Sequence, residues 1–352
     1  MAYTTIDDPE KYFKPVKYVG NLLQHPVEGF NHQPDWLWFK NADTTNSHNL
    51  LDSTRGTDKK LEGTNNNNAE ADTTTRLDSF DADGFTVETD PSVNGNNNEI
   101  VTFSWAANGG SVTNVAESGD NPGFSRQTNT TSGFSIIKYT GTGAVGTIAH
   151  GLGIVPDFII LKRLENADNW RTYDSVGGGT KAMRLNLNGG HGTSSSFYND
   201  TDATSSVFTL GTNNEVNGDA ETYIAYVFGS VKGYSKIASY KGNGNANGPF
   251  VYTGFKPAWV MVKKTSGSHD WYIQYGNTTF DGVSQAVNPV KHSLIANSSG
   301  TKATENSMDF LSNGFKLRTS GNGHNTSGDT YLYMAFAQNP FVNSNGTPSN
   351  AH

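Results

Sequence analysis

The chain has 352 residues and a formal net charge of −8 at pH 7, and it contains no Cys. An acidic chain argues against a nucleic-acid partner, because phosphate contacts need clustered Lys and Arg. The lack of Cys excludes disulfide scaffolds and thiolate sites. No apolar run approaches the ~20 residues of a membrane span, and the first residues lack the basic-then-apolar order of a signal peptide. We therefore expect assembly in a cytoplasm, without membrane insertion.

One motif occurs three times along the chain. In each copy a proline and one further residue precede four apolar residues and a lysine, at 34–40 (PDWLWFK), 156–162 (PDFIILK) and 257–263 (PAWVMVK). An aromatic-x-Gly step stands before each copy, at 18–20, 139–141 and 240–242. A closing apolar segment follows each copy, at 100–105, 223–228 and 331–336. The spacing exceeds the ~20–50 residues of a solenoid repeat, so it predicts three tandem domains that arose by internal triplication.

The landmarks divide the chain into six parts. We predict an N-terminal arm at 1–11, three repeats at 12–106, 133–230 and 233–341, and a C-terminal tail at 342–352. A polar linker at 107–132 separates the first two repeats. Each repeat has the usual size of a domain. The repeats at 12–106, 133–230 and 233–341 are called unit 1, unit 2 and unit 3.

The repeated motif has the periodicity of a strand. In unit 1, Trp36, Trp38 and Lys40 share one face, and Leu37 and Phe39 share the other. Both faces are apolar until the lysine, which predicts a strand that is buried on both sides and emerges at its end. Asn, Gly and Asp clusters, which suit turns, separate many short segments of this kind. No convincing amphipathic helix of three turns is present, and the pattern predicts an all-β fold of three jelly-roll-like β-sandwiches.

Five repeated charged residues are candidates for a duplicated binding site. They are the strand-end lysines and the acids that follow them in two units: Lys40, Lys162, Lys263, Asp52 and Asp174. The alternative is that the ammonium group of each lysine reaches from the end of its strand and pairs with a neighbouring turn. We favour this alternative because lysines at strand ends commonly do so. For the repeated aromatic residues we likewise favour a place in the hydrophobic core over a role as sugar-binding platforms.

Other motifs give weaker signals. Residues 141–146 match G-x-G-x-x-G, but no helix start follows, so a hairpin turn is favoured over a dinucleotide site. Residues 81–84 (DADG) could hold Ca²⁺ through carboxylates, as, more weakly, could Asp90, Asn94 and Glu99, but the twelve-residue calcium loop is absent. The nine His show no metal-ligand spacing, and no G-x-S-x-G nucleophile motif occurs. We expect no catalytic residue, no metal and no cofactor.

The sequence resembles virion proteins of marine tailed bacteriophages, especially phages of cyanobacteria and related ocean bacteria. The resemblance covers nearly the whole chain, and the motifs that carry it are residues 7–13 (DDPEKYF), 18–21 (YVGN), 34–40, 52–56 (DSTRG), 80–85 (FDADGF), 93–96 (VNGN) and 234–255. Unit 3 departs from the pattern, because the Asp-Ser-x-Arg-Gly stretch is replaced there. The family brings no established catalytic residues.

The resemblance implies a non-enzymatic structural protein of the virion, of the tail-fibre or appendage type, that serves host attachment. A capsid-decorating protein is the alternative within the same particle. A carbohydrate-binding or polysaccharide-depolymerising module is the alternative of another class. We expect a homo-oligomer, such as a trimer, that contacts other virion proteins and binds a host surface glycan.

Overall fold

The computed structural model describes residues 3–276, 278–280, 283–285, 288 and 290–348, with only the backbone given for 278–280 and 283–285. The regular structure of these residues is almost entirely β-strand, so the prediction of an all-β fold is confirmed. Helix is limited there to one 3₁₀ turn at Pro9–Lys11 and three single turns, α1 (Pro91–Asn94), α2 (Ser195–Tyr198) and α3 (Asn214–Asn217).

Unit 1 contains strands β1 to β9. Their bounds are Phe13–Val19, His25–Glu28, Trp36–Asn41, Asn49–Asp52, Lys59–Glu62, Ala71–Asp72, Leu77–Asp81, Gly84–Val87 and Glu99–Trp105. A large sheet has the order β1-β9-β3-β4-β5-β6, and a smaller sheet has the order β2-β8-β7. The strand β3 is the proline-led motif, and all six of its residues are buried, as its two apolar faces predict.

Strands β10 and β11, at Thr113–Val115 and Phe124–Asn129, occupy the segment that the sequence predicts to be a polar linker. The strand β11 pairs with the first strand of unit 2 along its whole length, so the segment extends a sheet. Its burial does not alternate with period two, because Phe124 and Gln127, three residues apart, are the buried positions. That irregular pattern conceals the strand from sequence periodicity.

Unit 2 contains strands β12 to β19. Their bounds are Phe134–Thr140, Gly146–Ala149, Phe158–Arg163, Arg171–Asp174, Lys181–Arg184, Gly192–Thr193, Val207–Leu210 and Thr222–Phe228. The large sheet has the order β10-β11-β12-β19-β14-β15-β16-β17, and β13 pairs with β18 in a separate small sheet.

Unit 3 contains strands β20 to β29. Their bounds are Ser235–Lys241, Phe250–Tyr252, Phe255–Lys264, Trp271–Tyr275, Thr278–Phe280, Val283–Gln285, Val290–Ile295, Ala303–Leu311, Gly314–Leu317 and Thr330–Pro340. Eight of them form one sheet in the order β20-β29-β22-β23-β26-β27-β28-β21. The strands β24 and β25 extend the large sheet of unit 1 instead, because β24 runs parallel to β1. Pro257 lies inside β22 at an irregularity of the register, whereas Pro34 and Pro156 precede their strands.

One order of strands recurs in all three large sheets. In each, the order is the first strand of the unit, its closing strand, its proline-led strand and then two later strands: β1-β9-β3-β4-β5, β12-β19-β14-β15-β16 and β20-β29-β22-β23-β26. A second layer covers one face of each: β2-β8-β7 and β13-β18 are separate small sheets, whereas in unit 3 the end of the same sheet, β27-β28-β21, packs over β22. In unit 1, Leu37 and Phe39 of β3 pack between the two layers with Phe85 of β8. Each unit therefore has a hydrophobic core of its own.

The opposite faces of the three large sheets pack against one another in a shared core. Trp105, Phe228 and Phe336 close the three units and form a triangle, with ring centroids 6.1, 6.1 and 5.6 Å apart. Trp36 of unit 1 stacks on Tyr226 of unit 2 with centroids 4.3 Å apart. This second core explains why the proline-led strands are apolar on both faces: one face packs in its own unit and the other packs between units.

Backbone hydrogen bonds join the units in a closed cycle. The Glu70 N–H of unit 1 donates to the Leu164 carbonyl of unit 2 (2.7 Å), and the His191 N–H of unit 2 donates to the Thr265 carbonyl of unit 3 (3.0 Å). The Lys302 N–H of unit 3 then donates to the Ala42 carbonyl of unit 1 (2.8 Å). Each acceptor stands two residues after the repeated lysine, so the contacts are equivalent. The three units therefore contact one another in a cyclic order within one chain.

The predicted arm and tail contact each other. The Ser344 N–H donates to Asp7 Oδ1 (2.6 Å), and the Ser344 hydroxyl donates to Asp7 Oδ2. Residues 1–2 of the arm and 349–352 of the tail lie outside the described residues.

Candidate functional site

The three repeated lysines lie where neighbouring units meet. The strand pattern predicts that their ammonium groups emerge into solvent, but Lys40, Lys162 and Lys263 are each 0% exposed. Burial lowers the pKa of each ammonium to about 8, and no carboxylate among the described residues lies in ion-pair contact with these lysines. The cause of the difference is that a neighbouring unit covers the strand end, as Asn67 of unit 1 does at Lys162 and Asn188 of unit 2 does at Lys263.

Backbone carbonyls satisfy these buried ammonium groups. Lys162 Nζ donates to the carbonyls of Arg163 (2.8 Å) and Asn166 (3.1 Å) in the loop after its strand, and to Asn67 of unit 1 (3.4 Å). Lys263 Nζ likewise donates within its own loop and to Asn188 of unit 2 (2.9 Å). An ammonium has three hydrogens to donate, so Lys162 and Lys263 use their full capacity. Lys40 Nζ donates to the carbonyls of Asn41 (2.5 Å) and Thr44 (2.8 Å). This geometry favours a structural role for the lysines over a binding role.

The repeated aspartates lie on the neighbouring strands β4 and β15, opposite the other end of the proline-led strands. Asp52 stands opposite Trp36 and Asp174 stands opposite Phe158, four residues before the lysine in each case. An extended strand rises about 3.3 Å per residue, so about 13 Å separates the two positions along the strand. The structure therefore does not bring the lysines and aspartates together as one duplicated site.

Each aspartate accepts a backbone hydrogen bond from its own turn, from Arg55 N in unit 1 and Gly177 N in unit 2, and contacts a basic side chain. Asp52 Oδ2 accepts from Arg55 Nε (2.5 Å) and from the Tyr226 hydroxyl of unit 2 (2.8 Å), and both members of the ion pair are fully buried. Asp174 Oδ2 lies 2.8 Å from His191 Nε2. Unit 3 has Tyr275 at the equivalent position, opposite Trp259. The aspartates of units 1 and 2 therefore serve internal contacts in the structure.

A repeated asparagine has a larger role than the sequence indicates. Asn94, Asn217 and Asn325 are each 0% exposed, and each stands five residues before the start of its closing strand. Asn217 Oδ1 accepts from Thr142 N (2.9 Å), while Nδ2 donates to the carbonyls of Ala144 (2.5 Å) and Gly211 (3.0 Å). From the sequence, Asn94 and Asn217 are predicted only as turn residues next to glycine, with a weak Ca²⁺ suggestion for Asn94 as well. Their shared distance from the closing strand is the signal that identifies all three.

The aromatic-x-Gly step of each unit meets this asparagine turn. The Tyr139 hydroxyl donates to the Val216 carbonyl (2.5 Å), and Tyr18 and Tyr240 make the equivalent bonds. A Cβ added to Gly141 would lie 2.3 Å from the Gly218 carbonyl oxygen, so only glycine fits there. The G-x-G-x-x-G match at 141–146 is accordingly a turn between β12 and β13, not the start of a helix.

The acidic turns proposed for Ca²⁺ hold backbone and side-chain donors. Asp83 accepts from Asn31 N (2.6 Å) and Gly29 N (3.3 Å), and Asp81 accepts from the Thr86 hydroxyl. Among the described residues, no group of three or more His, Asp or Glu is arranged to hold a metal ion.

A cavity of about 490 Å³ opens on unit 2, close to unit 3. Its lining includes four buried residues, Arg171, Ala182, Met183 and Phe197, and a more exposed rim of Arg184, Leu187, Asn188, Gly189, Gly190, Gly192, Thr193 and Ser194. Its volume lies within the range of small-molecule sites. Neither the lysines nor the aspartates predicted from sequence line it. It is built by β15, β16, the loop after β16, β17 and α2, and none of its lining residues belongs to a repeated motif.

Comparison with known proteins identifies a family without an assigned activity. The model of a domain of unknown function, DUF7483, matches residues 8–340, and the chain belongs to this family. No curated protein and no solved structure matches the chain significantly. Within the described residues, no helix is both long and apolar enough to cross a lipid bilayer.

Proposed function

We propose that this protein is a non-enzymatic structural component of a tailed-phage virion, located on a tail fibre or another appendage that contacts the host surface. The main observation that supports the proposal is the closed cycle of backbone hydrogen bonds between the units. The repeated lysines, aspartates and asparagines all serve internal contacts, so the features that recur along the chain build a shape instead of a reaction centre. The resemblance to marine phage virion proteins gives the location.

The origin of the three units is part of the same proposal. Three jelly-roll-like sandwiches, at 12–106, 133–230 and 233–341, arose by internal triplication of one ancestral domain. The recurring strand order, the equivalent positions of the proline-led strands and the equivalent contacts after each lysine support this origin.

The cyclic order of the units gives the chain an approximate threefold shape, which bears on the expected partners. A homotrimer is the simplest way to build a threefold shape from one domain, but here a single chain has that shape. We propose that the chain joins other virion proteins in many copies, and that one copy can cap a threefold partner such as a fibre shaft. Edge strand β21 is a candidate contact, because its side chains Phe250 and Tyr252 are 45% and 49% exposed.

Labelling of purified particles tests the proposal. Antibodies raised against the recombinant chain, coupled to gold, should label the tail or its appendages in electron micrographs of virions. Particles that lack the gene are the control and should remain unlabelled. Label on the capsid would instead assign the head-decorating alternative. The absence of the chain from washed virions would contradict a virion role.

An assay for polysaccharide cleavage tests the non-enzymatic part. The full chain, incubated with host surface polysaccharide, should release no oligosaccharide that can be detected by mass spectrometry, while a known depolymerase supplies the positive control. Release of oligosaccharides would contradict the proposal and favour the sugar-cleaving alternative.

A further inference from the structure

The cavity on unit 2 contains two arginines that face each other across a pair of strands. Arg171 of β15 and Arg184 of β16 are direct partners in the antiparallel register. Like charges at directly opposed positions destabilise a sheet unless another group compensates them. The surroundings of the two guanidinium groups show that only one charge is compensated within the described structure.

Arg171 is compensated. Its Nε forms an ion pair with Glu215, and its guanidinium lies over the ring of Phe197, 3.8 Å from the centroid. The side chain is fixed between a carboxylate and an aromatic face, so it forms a rigid part of the cavity floor.

Arg184 is not compensated. Its Nε is buried and has no hydrogen-bond partner, and no carboxylate of the described residues lies within ion-pair distance of it. Its backbone carbonyl accepts from Trp271 Nε1 of unit 3 (3.0 Å), which fixes the backbone from which the side chain extends. Of the described residues that line the cavity, none is acidic. A protein of net charge −8 thus has a cavity with one uncompensated positive charge.

We propose that this cavity binds a saccharide that carries a carboxylate, such as a hexuronic acid, and that the Arg184 guanidinium receives the carboxylate. One uncompensated charge matches a monoanion, and the planar guanidinium can form two parallel hydrogen bonds with a carboxylate. The inference depends on the cavity alone and does not require the virion role.

The remaining walls suit a sugar ring. Ala182, Met183 and Leu187 offer apolar surface to its C–H groups, whereas Thr193 and Ser194 offer hydroxyls to its own hydroxyl groups. Such a combination of apolar walls and a few polar groups is typical of small-molecule sites. The volume of about 490 Å³ exceeds what a bare carboxylate ion needs, so the ligand has a body as well as a charge.

Titration calorimetry of the full chain at low salt tests the proposal. The probes are sodium glucuronate, neutral glucose, acetate and inorganic phosphate, because these separate the charge from the sugar ring. Glucuronate should bind more tightly than each of the other three. In Arg184→Gln the dissociation constant for glucuronate should rise at least about tenfold, which corresponds to about 1.4 kcal/mol. Arg184→Lys keeps the charge without the planar fork and should give an intermediate affinity.

Two controls keep the test interpretable. Lys241→Gln removes one exposed positive charge outside the cavity lining and should leave glucuronate affinity unchanged. Arg184→Gln should unfold at the same temperature as the parent or higher, because it removes a like-charge pair without breaking an ion pair. Equal affinity for glucose or acetate would overturn the proposal, as would tighter binding of phosphate, no binding of glucuronate at millimolar concentration, or unchanged affinity in Arg184→Gln.

Discussion

Replacing Asn217 by alanine should destabilise the protein more than an ordinary surface substitution. The change removes three hydrogen bonds and leaves the Gly211 carbonyl buried without a partner, while the Thr142 N–H and the Ala144 carbonyl are partly accessible to water. An unsatisfied buried group costs about 1–3 kcal/mol. With about 2 kcal/mol for the buried carbonyl and about 1 kcal/mol for each of the others, the free energy of unfolding should fall by about 4 kcal/mol.

Urea unfolding, followed by far-ultraviolet circular dichroism, measures this change through the midpoint and slope of the transition. Asn68→Ala is the matched control, because Asn68 is exposed, and its free energy should stay within about 0.5 kcal/mol of the parent. Asn94→Ala and Asn325→Ala should resemble Asn217→Ala, since the three residues occupy equivalent turns. A loss below about 1 kcal/mol in Asn217→Ala would refute the reasoning that the asparagine holds the turn.

Three further predictions concern stability. Gly141→Ala should cost about 1–3 kcal/mol in urea unfolding because its Cβ would meet the Gly218 carbonyl, whereas Gly189→Ala, with no atom within 4 Å, should be tolerated. Burial lowers the pKa of His48 to about 3, below its unfolded value of 6.5, so its stabilising contribution is present above pH 6.5 and is lost as the pH falls toward 3. Between pH 6.5 and pH 5 this loss should reach about 2 kcal/mol, and His48→Gln should flatten that part of the stability profile; an unchanged profile would contradict the assignment. Asp52→Asn leaves a buried arginine without its nearest carboxylate and should cost about 3 kcal/mol; a neutral result in chemical unfolding would count against a structural role for this pair.

Local periodicity predicts the strands of the units because it reports which residues are buried. The alternation from Trp36 to Lys40 gives both the strand and its two apolar faces, and the repeated spacing gives the equivalent positions. Strand β11 escapes this method, because Gln127 is buried through hydrogen bonds to Ser53 and Thr54 of unit 1 and not through an apolar side chain.

The arrangement of the units could not be predicted in the same way. The residues of the shared core are apolar whether they face their own sandwich or a neighbouring unit, so the pattern does not reveal which face meets which unit. The burial of Lys162 follows from the position of Asn67, 95 residues earlier, and no spacing rule connects them. The uncompensated charge of Arg184 is equally hidden, since it depends on which carboxylates lie elsewhere in the fold.

Calorimetric unfolding of the full chain tests the central claim that the three units form one closed body. The shared aromatic core and the closed cycle of backbone hydrogen bonds between the units predict a single heat-absorption peak, with a calorimetric enthalpy equal to the van't Hoff enthalpy. Two or three separable peaks, each with the enthalpy of one unit, would show that the units unfold independently and would contradict the account.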